Sequence, residues 1–302
     1  MKKTLILQVF LLLSTLLQAQ QVADTLFNPP LLNPVYAQRQ GSVILIDEAH
    51  YNFHTLSGRF KPFTSLLQRD GYVVKSLSQT FTSETLAQAK IIVIANALHP
   101  DNQNQWSLPT PSAFTDDEIT AVNEWVKNGG SLFLIADHMP FPGAAEKLAE
   151  SFAVKFYNGF AMKKKGNNKD IFTTKRGLQQ NSLTNGRNEA EKITSLQSFA
   201  GQAFQIPETA QPVIKFNEEY QILLPQTAWE FTKETPAIAA TNMVQGAYFT
   251  YGQGQVVVFG EAAMFTAQIA GGKNKVGMNT PSASQNAQFL LNTVHWLDGL
   301  ID

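Results

Sequence analysis

Four short, almost unbroken apolar runs constrain this chain more than any other feature: Ser42-Val43-Ile44-Leu45-Ile46-Asp47, Ile91 to Ala95, Leu132-Phe133-Leu134-Ile135-Ala136 and Val256-Val257-Val258-Phe259. A strand with one wet face alternates apolar and polar residues. A short run without alternation suits a strand covered on both faces, as in a parallel sheet. Between the runs the period changes. Phe60, Phe63, Leu66 and Leu67 have helical spacing across Phe60 to Arg69, and Gly71 follows as a C′ glycine. Tyr72 to Ser76 then reads as a further strand. Thr115 is an expected N-cap, with Asp116, Asp117 and Glu118 placed to favour the helix dipole. Ile119, Val122, Trp125 and Val126 form that helix's apolar stripe, and Gly129-Gly130 ends it. Further helices are expected near Ala144 to Phe152 and over Ser284 to Leu297. Strand and helix in alternation mean βαβ units and a parallel sheet. Gly246 to Phe259 reads as a hairpin turning at Gly252-Gln253-Gly254.

The remainder is less regular. Residues 21–40 are rich in Pro, Asn and Gln and read as an extended leader. Residues 157–212 are polar and without a sustained period, and read as an insertion of loops and short strands. Ahead of the leader, Lys2 and Lys3 precede an apolar stretch from Leu5 to Leu17, then Gln18-Ala19-Gln20. This is the pattern of an export signal cleaved near Ala19 or Gln20, and it is short for a membrane span. No cysteine occurs, so lipidation, disulfides and thiol chemistry are excluded. The expected location is periplasmic or secreted. A net charge of −1 lacks the basic excess of a nucleic-acid binder. The run Lys163-Lys164-Lys165, beside Gly166-Asn167-Asn168, reads as a solvated loop.

In open parallel sheets, ligands bind at the carboxyl ends of the strands. The residues that follow each apolar run are therefore the candidates for chemistry. They are Asp47-Glu48-Ala49-His50-Tyr51-Asn52-Phe53-His54, then Asn96 with His99 nearby, Asp137-His138-Met139-Pro140, and Gly260-Glu261. Four of the five histidines fall on these ends. One chemical reading assigns ligands of a divalent metal (Zn, Mn or Fe) among Asp47, Glu48, His50, His138 and Glu261, with Asp47, His50 and His138 as the expected core. The other has no metal, with His138 and Glu48 or Glu261 acting as an acid/base pair. Asn96, Asn52 and His54 are expected to touch substrate. The ordinary reading is that Asp47 and Asp137 are caps or turn formers, and that His54 and His99 are loop residues. His295 lies beside Trp296 in the last helix and reads as structural. Trp106, Phe114, Phe141 and Trp229 would line a sugar cleft if exposed. Tyr51 stands where a zinc-protease HExxH motif needs glutamate, and no GxSxG, GxxxxGK[ST] or GxGxxG occurs.

The segments Asp47 to His54, Trp125-Val126-Lys127-Asn128-Gly129-Gly130-Ser131-Leu132, Ala136-Asp137-His138 and Gly252 to Glu261 resemble a branch of the class I glutamine amidotransferase-like superfamily. Its relatives include trehalose-utilisation-like proteins and the GIFT domain of intraflagellar transport proteins. The resemblance covers about residues 41 to 300, less the polar middle, and implies a flavodoxin-like, doubly wound, mostly parallel sheet. The superfamily's enzymes carry a cysteine on the turn after a central strand. Here Ala136-Asp137-His138-Met139-Pro140 stands there, so glutamine hydrolysis through a thioester is ruled out. The expectation is an exported hydrolase-like enzyme, metal-assisted or metal-free, acting on a small or carbohydrate-type substrate. The alternative is a non-catalytic ligand-binding or assembly module.

Overall fold

The computed structural model describes residues 21–31, 33–166 and 170–302. The expected export segment and Asn167-Asn168 lie outside them. The fold is α/β. A seven-stranded mixed sheet is formed by β1 (Val43–Asp47), β2 (Val73–Leu77), β3 (Ile91–Ala95), β4 (Ser131–Ile135), β5 (Gln211–Lys215), β6 (Val244–Tyr251) and β7 (Gly254–Phe259), in the order β2-β1-β3-β4-β7-β6-β5. Pairing is parallel from β2 through β7, and antiparallel for β7 with β6 and β6 with β5. Among the described residues four helices longer than two turns accompany it: α1 (Lys61–Arg69), α2 (Asp116–Lys127), α3 (Phe141–Glu150) and α4 (Asn286–Leu297).

The unbroken apolar runs are explained by two separate cores. Ile44, Ile46, Ile91, Val93, Phe133, Ile135, Val257 and Phe259 face one way, onto Phe63, Leu66 and Leu67 of α1 and Phe289, Leu290 and Val294 of α4. Leu45, Ile92, Ile94, Leu132, Leu134, Val256 and Val258 face the other way, onto Val122 and Val126 of α2 and Ala145 and Leu148 of α3. Burial of each such side chain is worth about 1.5–3 kcal/mol, so both faces of the central strands favour this sheet.

The glycine hairpin has a packing cause. A Cβ on Gly254 would lie 2.1 Å from the Val126 carbonyl oxygen and 2.2 Å from that of Gly130, so the turn is pressed against the end of α2. Residues 157–212 hold short strands Phe160–Lys163, Asp170–Thr173 and Ser195–Ser198, then enter the main sheet as edge strand β5. Among the described residues the small strands form three further sheets. In one of them Gln21–Ala23 of the leader pairs with Ala267–Ala270.

Register sets the site. Ile135 of β4 lies opposite Ala95 on one side and Phe259 on the other. Asn96, Asp137 and Glu261 therefore emerge side by side at one edge, one or two residues beyond the strands.

Candidate functional site

The strand ends carry two polar clusters. The first is built on His50, which is sealed between the rings of Phe81 and Phe114, at 4.7 and 4.6 Å between centroids. Its Nδ1 lies 2.9 Å from both carboxylate oxygens of Asp47, and its Nε2 lies 2.9 Å from Glu118 Oε1. Carboxylates offer only acceptors, so a doubly protonated imidazolium satisfies both. Burial opposes that charge, but the hydrogen bonds that His50 donates to Asp47 and Glu118, and the nearness of their charges, prevail and raise the imidazole above its ordinary range. Burial likewise pushes Glu118 up, and the Thr115 backbone N–H and His50 outweigh it, holding the carboxyl low. Asn52 braces the cluster, donating from Nδ2 to Asp47 Oδ2 at 2.9 Å and accepting the His50 N–H at 3.1 Å. Glu118 is also the N3 residue of the α2 capping box with Thr115.

The second cluster is built on Asn96, a non-glycine residue in the left-handed region (φ 53°). Its Oδ1 accepts the Asp137 N–H at 2.9 Å, and its Nδ2 donates to His54 Nδ1 at 3.2 Å. His54 is buried, which pulls its pKa down to about 3, with electrostatic contributions from Arg59 and His138 adding to the effect. Asp137 and Glu261 are both buried. Burial raises both carboxyls, and the Asp137 charge raises Glu261 further, so the pair favours holding a proton. Asp137 Oδ1 accepts the His138 N–H at 2.7 Å, while Glu261 accepts the N–H groups of Ala263 and Met264 at 2.6 and 2.8 Å.

His138 differs from the other site histidines. It is only half buried, and its Nδ1 donates to the Met139 carbonyl at 2.7 Å. That bond fixes the tautomer, leaving Nε2 as the lone-pair nitrogen when the ring is neutral. Among the described residues nothing hydrogen-bonds to Nε2. The ring stacks on Phe160 (4.7 Å, 11°) and meets the edge of Trp229 at 4.6 Å, with Phe141 and Trp106 at 5.8 and 6.0 Å. Trp106 and Trp229 belong to one wall, because Ser107 bridges Thr227 antiparallel and the Ala228 N–H donates to the Trp106 carbonyl at 2.7 Å. Trp229 is 46% exposed and has φ 69°, a strained value for a bulky residue.

The expected site residues thus divide. Asp47, His50 and Asn52 come together, with Glu118. Asn96, His54, His138 and Glu261 come together, with Asp137. Glu48 joins neither cluster: its Oε1 accepts the Leu56 N–H at 2.7 Å and ties down the following loop. Glu261 is sealed by backbone donors rather than turned outward as an acid or base. The expected metal set of Asp47, His50 and His138 does not fit its surroundings. Both His50 nitrogens and both Asp47 oxygens are already engaged within the protein, leaving Nε2 of His138 as a solitary donor. Among the described residues no group of three His, Asp or Glu side chains is arranged to hold a metal ion. His99 caps the short turn Pro100–Asn102, and His295 pairs with buried Asp70 at 2.6 Å. Of the aromatic residues expected to line a cleft, Phe114 covers His50 instead, while Trp106, Phe141 and Trp229 surround His138.

Sequence reasoning missed Glu118 as a partner of His50, although Thr115-x-x-Glu118 was legible as a capping box. It missed Asp137 as a partner of Glu261, and it missed Arg59. An open groove lined by Leu31, Tyr36, Gln68 and Arg69 lies along the carboxyl end of α1, at the amino edge of the sheet, and belongs to neither cluster.

No family model and no curated protein matches the sequence. Solved structures do. The mmIFT52 N-terminal domain superposes with a TM-score of 0.60 at 14% identity, covering 84% of this chain and 97% of that one. At 14% identity this likeness shows the fold alone. A ThuA-like protein from Bacteroides uniformis aligns at 0.48 and 12% identity over 87% of this chain and 93% of its own. The cytoplasmic protein STM3548 from Salmonella typhimurium aligns at 0.47 and 13% over 85% and 99%.

Proposed function

We propose that this chain is an exported, hydrolase-like enzyme whose reaction centre is His138, acting without a metal on a carbohydrate-type substrate. The fold it does this on is a flavodoxin-like relative of the class I glutamine amidotransferases. One observation carries the reading: a half-buried imidazole, with its tautomer fixed by Met139, leaves Nε2 without a hydrogen-bond partner among the described residues, beside a wall of aromatic rings. Nε2 takes a proton from a water or a substrate hydroxyl as general base, and returns it to the leaving group. Trp229 and Trp106 offer flat apolar faces with a polar edge, the surface a sugar ring covers well. Backbone strain at Trp229 supports the same reading, since such strain collects at ligand clamps.

A second reading is a ligand-binding module on the same wall. It is favoured by the sealing of Asp137 and Glu261, which leaves His138 without an exposed acid partner. Tryptophan fluorescence and a reducing-end assay against a panel of oligosaccharides test both. Quenching and turnover, each lost in His138→Ala, are expected. Quenching without turnover, abolished in Trp229→Ala, would select the binding module. Neither signal with any sugar would overturn the reading.

A further inference from the structure

We infer that the ligand of the His138 site is anionic, an acidic rather than a neutral carbohydrate, and that Arg59 recognises its charge. The inference rests on the carbohydrate reading above and names the substrate class.

Arg59 sits half-buried in the turn before α1. Its guanidinium carbon lies 3.8 Å from the centroid of the Phe53 ring, and Nη1 donates to the Phe53 carbonyl at 3.3 Å. Its Nε is buried with no hydrogen-bond partner. Among the described residues no carboxylate lies within ion-pair distance of it, and burial pulls its pKa down. Buried charges are ordinarily paired, because desolvation is otherwise uncompensated. Arg59 is only half-buried, but no carboxylate among the described residues compensates the part of its charge that is withdrawn from water.

The position of the cation is informative. Phe53, beneath Arg59, packs on Trp106 at 5.4 Å and on Phe141 at 5.6 Å, and both of those rings touch His138. Arg59 and His138 also both act electrostatically on His54. A planar guanidinium is therefore linked to the His138 imidazole through a continuous run of aromatic rings. A sugar seated on those rings would present a carboxylate, sulfate or phosphate substituent to the guanidinium N–H groups that Phe53 leaves unspent. The plainer alternative is that Arg59 only stacks on Phe53, which would give it a role in stability and none in selectivity.

Titration calorimetry of the full chain at low salt with trigalacturonate, neutral galactotriose and inorganic sulfate separates these outcomes. The acidic sugar is expected to bind about tenfold or more tightly than the neutral one, the scale of a charge-assisted hydrogen bond. Arg59→Gln should erase that preference while leaving galactotriose binding intact, and Arg59→Lys should keep part of it. The inference is overturned if the parent shows no preference, or if the preference survives in Arg59→Gln. An Arg59→Gln variant that melts lower with unchanged selectivity also overturns it. Neutral sugar bound without preference leaves the carbohydrate reading standing alone. Sulfate bound through Arg59 with no sugar bound keeps the anion site and removes the carbohydrate reading. No binding of any probe removes both.

Discussion

His50 Nε2 stands 2.9 Å from Glu118 Oε1 and thereby joins the loop after β1 to the first turn of α2, across 68 residues of sequence. The same carboxylate closes the helix's capping box and accepts the Phe81 N–H at 3.2 Å. One side chain thus holds three segments.

Removing His50 should be costly. His50→Ala leaves Asp47 and Glu118 without the cation between them, in a site closed by Phe81 and Phe114. Breaking a buried ion pair in this way costs about 3–5 kcal/mol. Urea denaturation of the variant beside the parent measures it; a loss under about 1 kcal/mol would show that the carboxylates do not depend on the imidazolium.

The same group sets an alkaline limit. The folded pKa of His50 is raised, so its contribution is complete below the unfolded value near 6.5 and is lost as pH rises through the folded value. Glu118 is depressed, so its contribution is present above about 4.3 and is lost as pH falls. The parent's melting temperature, less that of His50→Gln, should be greatest between these limits and shrink toward pH 9. A difference that grows from pH 6 to pH 9 would refute the assignment.

His54 should act at the opposite end. Its folded pKa is about 3, so it stays neutral in the fold and takes up a proton on unfolding in mild acid. The stability this preserves is present above about 6.5 and falls away as pH drops toward the folded value. His54→Gln should flatten the decline in unfolding free energy between pH 6.5 and 4. A parent and variant with equal slopes there would mean that His54 protonates freely in the folded protein.

Asn96 separates conformation from hydrogen bonding. Asn96→Gly keeps the left-handed backbone but loses the bonds to Asp137 and His54. Asn96→Ala loses both the bonds and the backbone tolerance, and should be less stable than the glycine variant by about 1–2 kcal/mol. Equal stability of the two would show that the backbone relaxes at this position.

Much of the frame is legible in the sequence. Unbroken apolar strands, Thr115 with its acidic first turn, and the glycine hairpin are local signals, and each corresponds to an element of the fold. The strand-end rule also led to His50, Asn96, His138 and Glu261, because parallel register brings such residues to one edge. Their grouping was not legible. It depends on Glu118, which reads locally as an ordinary helix cap, and on Trp229, which lies 91 residues beyond His138. Nor does sequence reveal that donors are spent. Asp47 and His50 look like metal ligands until Asn52 and Glu118 are seen to occupy them. Arg59 was silent for the opposite reason, since a missing partner leaves no pattern.

The buried carboxylates of the two clusters also act on the clock of the loops around them. The amides of Phe81, His138, Ala263 and Met264 lie outside the main sheet, yet each donates to Glu118, Asp137 or Glu261 in the interior. Such an amide reaches solvent only when a buried carboxyl group is uncovered, which ties its opening to the loss of the cluster and not to local fraying. In deuterated water these four loop positions would keep their protons about as long as the central strands, and the mouth of the site would be timed by the core beneath it.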